Sequence, residues 1–126
     1  MQDRPRCPIC GSHHFADFNG RAFARCRDCQ SLERTRLLWL LLERTGSLRP
    51  DLRILHLAPE RGLSARLQAL TSRYVAADAD PAFYRKVAPA VRGVDLCRPD
   101  PEFLALRFDL IIHMHVLEHV ACPAGE

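Results

Sequence analysis

Four apolar or near-apolar residues in a row, Ile54-Leu55-His56-Leu57, predict a strand buried on both faces. Pro59 stops pairing and Gly62 frees the backbone. Leu63, Leu67 and Leu70 then recur at helical spacing, to about Ser72. The alternation continues downstream. Tyr74-Val75-Ala76-Ala77-Asp78 reads as a short strand ending in an acid, with Asp80 before Pro81 as a helix cap. Val91–Leu96 predicts a third strand carrying Asp95, Phe108–Met114 a fourth, and His115–Val120 the start of the next turn or helix. The strand ends at Ala58, Asp78, Asp95 and His113 should share one edge of a parallel sheet, the edge where ligands bind. Upstream, Leu32, Leu38, Trp39, Leu41 and Leu42 form the stripe of a helix that Ser31 can cap and that Gly46 and Pro50 end. Leu37–Leu42 is apolar nearly all round, which predicts burial between the segments on either side.

The first thirty residues lack such periodicity and carry metal chemistry instead. Cys7-Pro8-Ile9-Cys10 and Cys26-Arg27-Asp28-Cys29 are two C-x2-C pairs fifteen residues apart. Each pair can present both sulfurs to one ion, and two pairs complete a tetrahedral four-cysteine shell suited to structural Zn2+. Gly11 permits the turn after the first pair, and four sulfurs leave His13 and His14 outside the shell. Phe15, Phe18 and Phe23 supply this module's few apolar residues, too few for a core without metal. The domain reading is therefore a zinc ribbon over 1–30, a linking helix over 31–50 and an α/β part over 51–126.

Composition alters this picture only at the margins. No apolar run approaches the ~18 residues of a membrane span, and the polar start is not a signal peptide. Six cysteines without a secretory signal imply a reducing, cytoplasmic setting, with Cys97 and Cys122 as ordinary thiols. The formal charge is +3, and residues 1–36 hold seven arginines against four acids. Four zinc-bound thiolates would bring that segment to about +1, so charge alone argues weakly for nucleic acid.

The order I54-L-H-L-A-P-E, Y74-V-A-A-D, V94-D-L and F108-D-L-I-I-H-M-H-V-L-E-H-V resembles the class I S-adenosylmethionine-dependent methyltransferases. With the preceding C-x2-C-Q-S-L-E-R-T-R-L-L-W-L-L-L it is similar to a bacterial branch in which a zinc ribbon precedes that domain. The resemblance spans nearly the whole chain. It implies a Rossmann-like parallel sheet and methyl transfer to an unspecified acceptor. It places Asp78 on the cofactor's ribose, Asp95 on the adenine amino group and Leu96 against the adenine ring. Ala58, Glu60 and Gly62 would lie at the methionine end, with His113 at the mouth. Two departures accompany it. Where the family has acid-x-Gly-x-Gly-x-Gly, this chain has His56, Ala58 and Glu60, keeping only Gly62. The family sheet has seven strands, whereas four are predicted here, as in a truncated chain or one whose sheet another chain completes.

Three other readings compete. His115-Val116-Leu117-Glu118-His119 matches the H-x-x-E-H zinc-peptidase motif, which needs a third ligand from downstream. A nicotinamide enzyme needs glycines at a pyrophosphate, where this chain has Pro59, Glu60 and Arg61. A ribbon-type binding module for nucleic acid or protein could use Arg21, Arg25, Arg27, Arg34 and Arg36 on phosphates, beside a vestigial α/β part. No catalytic base is assigned; His113 and His115 are the nearest candidates.

Overall fold

The computed structural model describes residues 4–122. It divides into two compact units: Met1–Arg49 with Glu60–Leu70, and Pro50–Pro59 with Thr71–Glu126.

The first unit opens on an antiparallel hairpin, β1 (Phe15–Phe18) and β2 (Arg21–Cys26). Asn19 and Gly20 join the strands, both at positive φ (50° and 75°), the conformation that matches a two-residue turn to strand twist. Two helices follow, α1 (Glu33–Arg44) and α2 (Arg61–Leu70). The sequence pattern overstates the burial of α1. Only Thr35, Trp39 and Leu42 are buried on it, one narrow stripe, while Leu37 and Leu41 are exposed. Ser31 does not cap α1 either: Leu32 holds that position and no side chain bonds the cap. Trp39 donates its indole N–H to Glu43 and lies under the Arg66 guanidinium of α2, 4.8 Å from its ring centre. The helix predicted to link two domains thus belongs to this unit, and so does the helix after Pro59.

The expected core of this unit also differs. Its buried apolar residues are Ile9, Ala24, Trp39, Leu42, Leu63 and Leu67, beside Cys7, Cys26 and Cys29. Phe15 and Phe18 are only half-buried, and Phe23 is 66% exposed.

The second unit is built on four parallel strands, β3 (Ile54–Leu57), β4 (Tyr74–Asp78), β5 (Arg92–Gly93) and β6 (Leu110–Ile112), in the order β5-β4-β3-β6. The predicted fully buried strand is β3, whose four residues are all buried. Leu55, Leu57, Ala77 and Val94 form the core, with Val75, Leu96, Phe103, Phe108 and Val116 packed on it. The third and fourth strands are shorter than their sequence patterns suggest. β6 pairs only with β3 and leaves Ile111 exposed at the sheet edge. Its start is fixed by Asp109, which takes the Arg53 backbone N–H (3.0 Å) and pairs with its guanidinium (3.2 Å).

Two short helices follow strands, α3 (Pro81–Tyr84) and α4 (Pro101–Ala105). Asp100 caps α4 by accepting the Phe103 N–H at 2.8 Å, whereas Asp80 stands at the α3 cap without a side-chain bond. Cys97 and Cys122 are not free thiols: they form a disulfide across 25 residues. A single cysteine in each segment offers no spacing from which to pair them. No helix of the described residues is long and apolar enough to cross a membrane.

Candidate functional site

In the first unit the four sulfurs of Cys7, Cys10, Cys26 and Cys29 lie within 4.8 Å of one another. Two chain segments reach this point by the same local geometry. Cys7 N–H bonds the Ser12 carbonyl, and Gly11 N–H returns to the Cys7 carbonyl, both at 2.8 Å. Cys26 N–H bonds the Ser31 carbonyl at 2.9 Å, and Gln30 N–H returns to the Cys26 carbonyl at 3.0 Å. The fifth residue of each turn is left-handed, Gly11 at φ 81° and Gln30 at φ 66°. The turn predicted at Gly11 is therefore matched by one at Gln30, which no glycine marks.

The sulfurs of Cys7 and Cys29 are 3.7 Å apart, and those of Cys10 and Cys26 3.5 Å. Four thiolates at ~2.3 Å from a tetrahedral ion would stand about 3.8 Å apart, so the donor set fits a divalent ion such as zinc. Ser31 serves this cluster rather than a helix end. Its hydroxyl accepts from the Cys29 thiol at 3.0 Å and lies 3.6 Å from the Cys7 sulfur. Burial opposes ionisation of Cys7, but bonds from the Cys10 backbone, Ser31 and the Ile9 backbone bring its thiol down to about 7. Burial pushes Cys10 up to about 12 and also raises Cys29. A metal ion would displace the protons of those two thiols. The first turn of α2 closes on the same cluster: a Cβ placed on Gly62 would stand 2.9 Å from the Cys29 Sγ.

In the second unit a cavity of about 390 Å³ opens at the carboxyl ends of the strands. Ala58 from the end of β3, Asp78 from β4, and Asp95 and Leu96 after β5 all line it. The Asp78 Oδ1 accepts the Asp80 N–H at 2.8 Å, and the Asp95 Oδ1 accepts the Cys97 N–H at 2.9 Å. Each carboxylate is thus oriented by a short turn through one oxygen. Ala58 is left-handed at φ 48°, a glycine-like conformation on a residue with a Cβ, and its N–H bonds the Ala77 carbonyl at 3.1 Å. Tyr84, Cys97, His115 and His119 complete much of the wall. Of these, the sequence offers His115 as a candidate near the pocket and His119 through the H-x-x-E-H segment, but not Tyr84 or Cys97.

The other predicted contacts lie elsewhere. Glu60 belongs to the first unit, where it accepts the Thr35 hydroxyl and stands 3.8 Å from Arg34 Nε. Gly62 is taken up by Cys29, as above. His113 is exposed and does not line this cavity. The H-x-x-E-H segment runs into a 3-10 turn at Leu117–His119, not an α-helix, and His115 Nδ1 meets Glu118 Oε1 at 2.8 Å. Among the described residues the metal-capable group is the four cysteines.

Comparison of the chain with protein-family models, with curated proteins and with solved structures found no match.

Proposed function

We propose that the second unit binds S-adenosylmethionine in its strand-end cavity for transfer of a methyl group, and that the four cysteines hold a structural Zn2+. The observation that carries the cofactor reading is the convergence of Asp78 and Asp95 on one cavity at the carboxyl ends of parallel strands. The order β5-β4-β3-β6 places the chain's third, second, first and fourth parallel strands side by side. That is the strand order of the first four strands in doubly wound nucleotide-binding sheets, which hold ligands at this end.

Each residue has a definite task in this reading. Asp78 keeps its second carboxylate oxygen for the ribose hydroxyls, and a charge-assisted bond there fixes the sugar. Asp95 accepts from the adenine amino group, and Leu96, packed on the core, offers an apolar face to the ring. Ala58 lets the chain turn close to the methionine end, because its left-handed backbone reproduces what a glycine would do. The bound cofactor would supply an electrophilic methyl group. The chain's contribution is to hold donor and acceptor in line, with water excluded from the apolar floor of Leu57, Ala77 and Val94. His115 and His119 line the wall and are the residues nearest to a proton-accepting role.

Calorimetric titration of the zinc-loaded chain with S-adenosylmethionine, with NADH as control, tests the proposal. Binding that disappears in Asp78→Ala supports it. A cooperatively folded chain that ignores S-adenosylmethionine, or takes NADH equally well, sinks it.

A further inference from the structure

We propose that the hairpin of the first unit is a stacking site for single-stranded nucleic acid, centred on Phe23. β1 and β2 are in register at Ala16–Arg25 and again at Phe18–Arg21. Between these pairs β1 has one residue, Asp17, and β2 has three, Ala22, Phe23 and Ala24. The excess is a bulge, and bulges re-aim side chains. Phe23 sits in it at φ 55°, a left-handed conformation that is strained for a bulky residue. The Asp17 carboxylate holds it there by accepting the Phe23 N–H at 3.1 Å. The result is a ring 66% exposed to water. Strain and an exposed aromatic coincide at a residue that packs no core, which is how a binding residue is built.

The surroundings define the ligand. Phe23 borders a cleft with Phe15, Arg4, Arg27, His13 and His14, and among the described residues no carboxylate lines it. Arg27 Nε bonds the Phe15 carbonyl at 3.1 Å, which fixes the guanidinium at the wall of the cleft. Two acids stand close by and are engaged: Asp17 takes the Phe23 N–H, and Asp28 pairs with His14 at 3.6 Å. Beyond the cleft Arg25 lies over the Phe18 ring at 5.3 Å, and its buried Nε has no hydrogen-bond partner among the described residues. The unit as a whole holds eleven arginines against six carboxylates, a formal +5, or +3 once four thiolates bind a divalent ion. The other unit holds seven cations against nine acids, a formal −2. Adding α1 and α2 to the cysteine module thus strengthens the charge argument, which is weak for residues 1–36 alone. Aromatic faces for bases and fixed guanidinium groups for phosphates are what a single strand needs.

The test uses the zinc-loaded full chain and fluorescein-labelled oligo(dT) and oligo(U) of about twenty nucleotides, against a duplex and poly-glutamate. Binding should weaken steeply with salt, and Phe23→Ala should weaken it about tenfold while Phe23→Tyr retains it. Arg27→Gln should lower the salt slope by about one phosphate contact. Phe23→Gly controls for folding, since glycine relieves the left-handed strain: its melting temperature should rise while affinity falls about tenfold. Three results overturn the proposal: no oligonucleotide binding at low salt, equal affinity in Phe23→Ala, or poly-glutamate binding as tightly, which would mark an acidic protein partner. The proposal stands independently of methyl transfer.

Discussion

Gly62 touches Cys29. A Cβ at position 62 would lie 2.9 Å from both the Cβ and the Sγ of that cysteine and 3.0 Å from its carbonyl oxygen. The glycine of the strand–turn–helix therefore admits one of the four clustered cysteines at close range, and φ at Gly62 is not left-handed. Helix propensity alone would make Gly62→Ala stabilising by about 1 kcal/mol. Overpacking against a buried cysteine held by its backbone and its cluster works the other way, by roughly 1–3 kcal/mol. The second effect should win because two of the three neighbours are the fixed Cβ and a backbone oxygen. Gly62→Ala is expected to lower the denaturation midpoint of the zinc-loaded chain and to speed metal release to a chelator. A higher midpoint with unchanged release would show that Cys29 yields freely.

This contact also marks the limit of what is legible in the chain. The four-cysteine cluster can be read because C-x2-C spacing is a local property, and β3 because four residues in a row are apolar or nearly so. The carboxylates Asp78 and Asp95 can be placed near a common edge because each stands toward the end of a segment that reads as a short strand. The partnership of α2 with the cysteine module is a contact between a glycine and a cysteine far apart in sequence, and neither residue type announces it. An aromatic among polar residues normally goes to a core, which is where the pattern puts Phe23. The bulge that turns it outward depends on two extra residues in β2 and a bond from the Phe23 N–H to Asp17, which alternation does not encode. Glu60 is placed by its position in the turn, but Thr35 and Arg34 of α1 hold it within the first unit.

His56 gives the second unit a pH dependence with a definite sign. Its ring is buried in β3, with Nδ1 2.9 Å from the Tyr74 hydroxyl, and burial pushes its pKa down to about 4. In the unfolded chain it titrates near its ordinary ~6.5. Below that value the unfolded state binds the proton first, so stability is full above about pH 6.5 and declines toward pH 4. The shift corresponds to about 3 kcal/mol. Denaturant melts from pH 7.5 to 4 should show this loss, and His56→Gln should flatten it. An unchanged slope in the variant would assign the acid sensitivity to other groups.

Cys97 lines the strand-end cavity, and its disulfide to Cys122 ties that wall to the end of the described chain. Closing a 25-residue loop restricts the unfolded chain by about 3 kcal/mol in the entropy model. Cys97→Ser with Cys122→Ser is expected to lose stability of that order, and a dithiol reductant should produce the same fall in the unaltered chain. Because Asp95 is oriented by the Cys97 N–H, the loss should also loosen the carboxylate and weaken S-adenosylmethionine binding if that ligand is held there. Thiol alkylation after metal removal provides the direct count. Four reactive thiols without reductant and six with it are expected, since four cysteines are free. Six without reductant would mean that the bridge does not form, and the double variant should then match the parent in both stability and affinity.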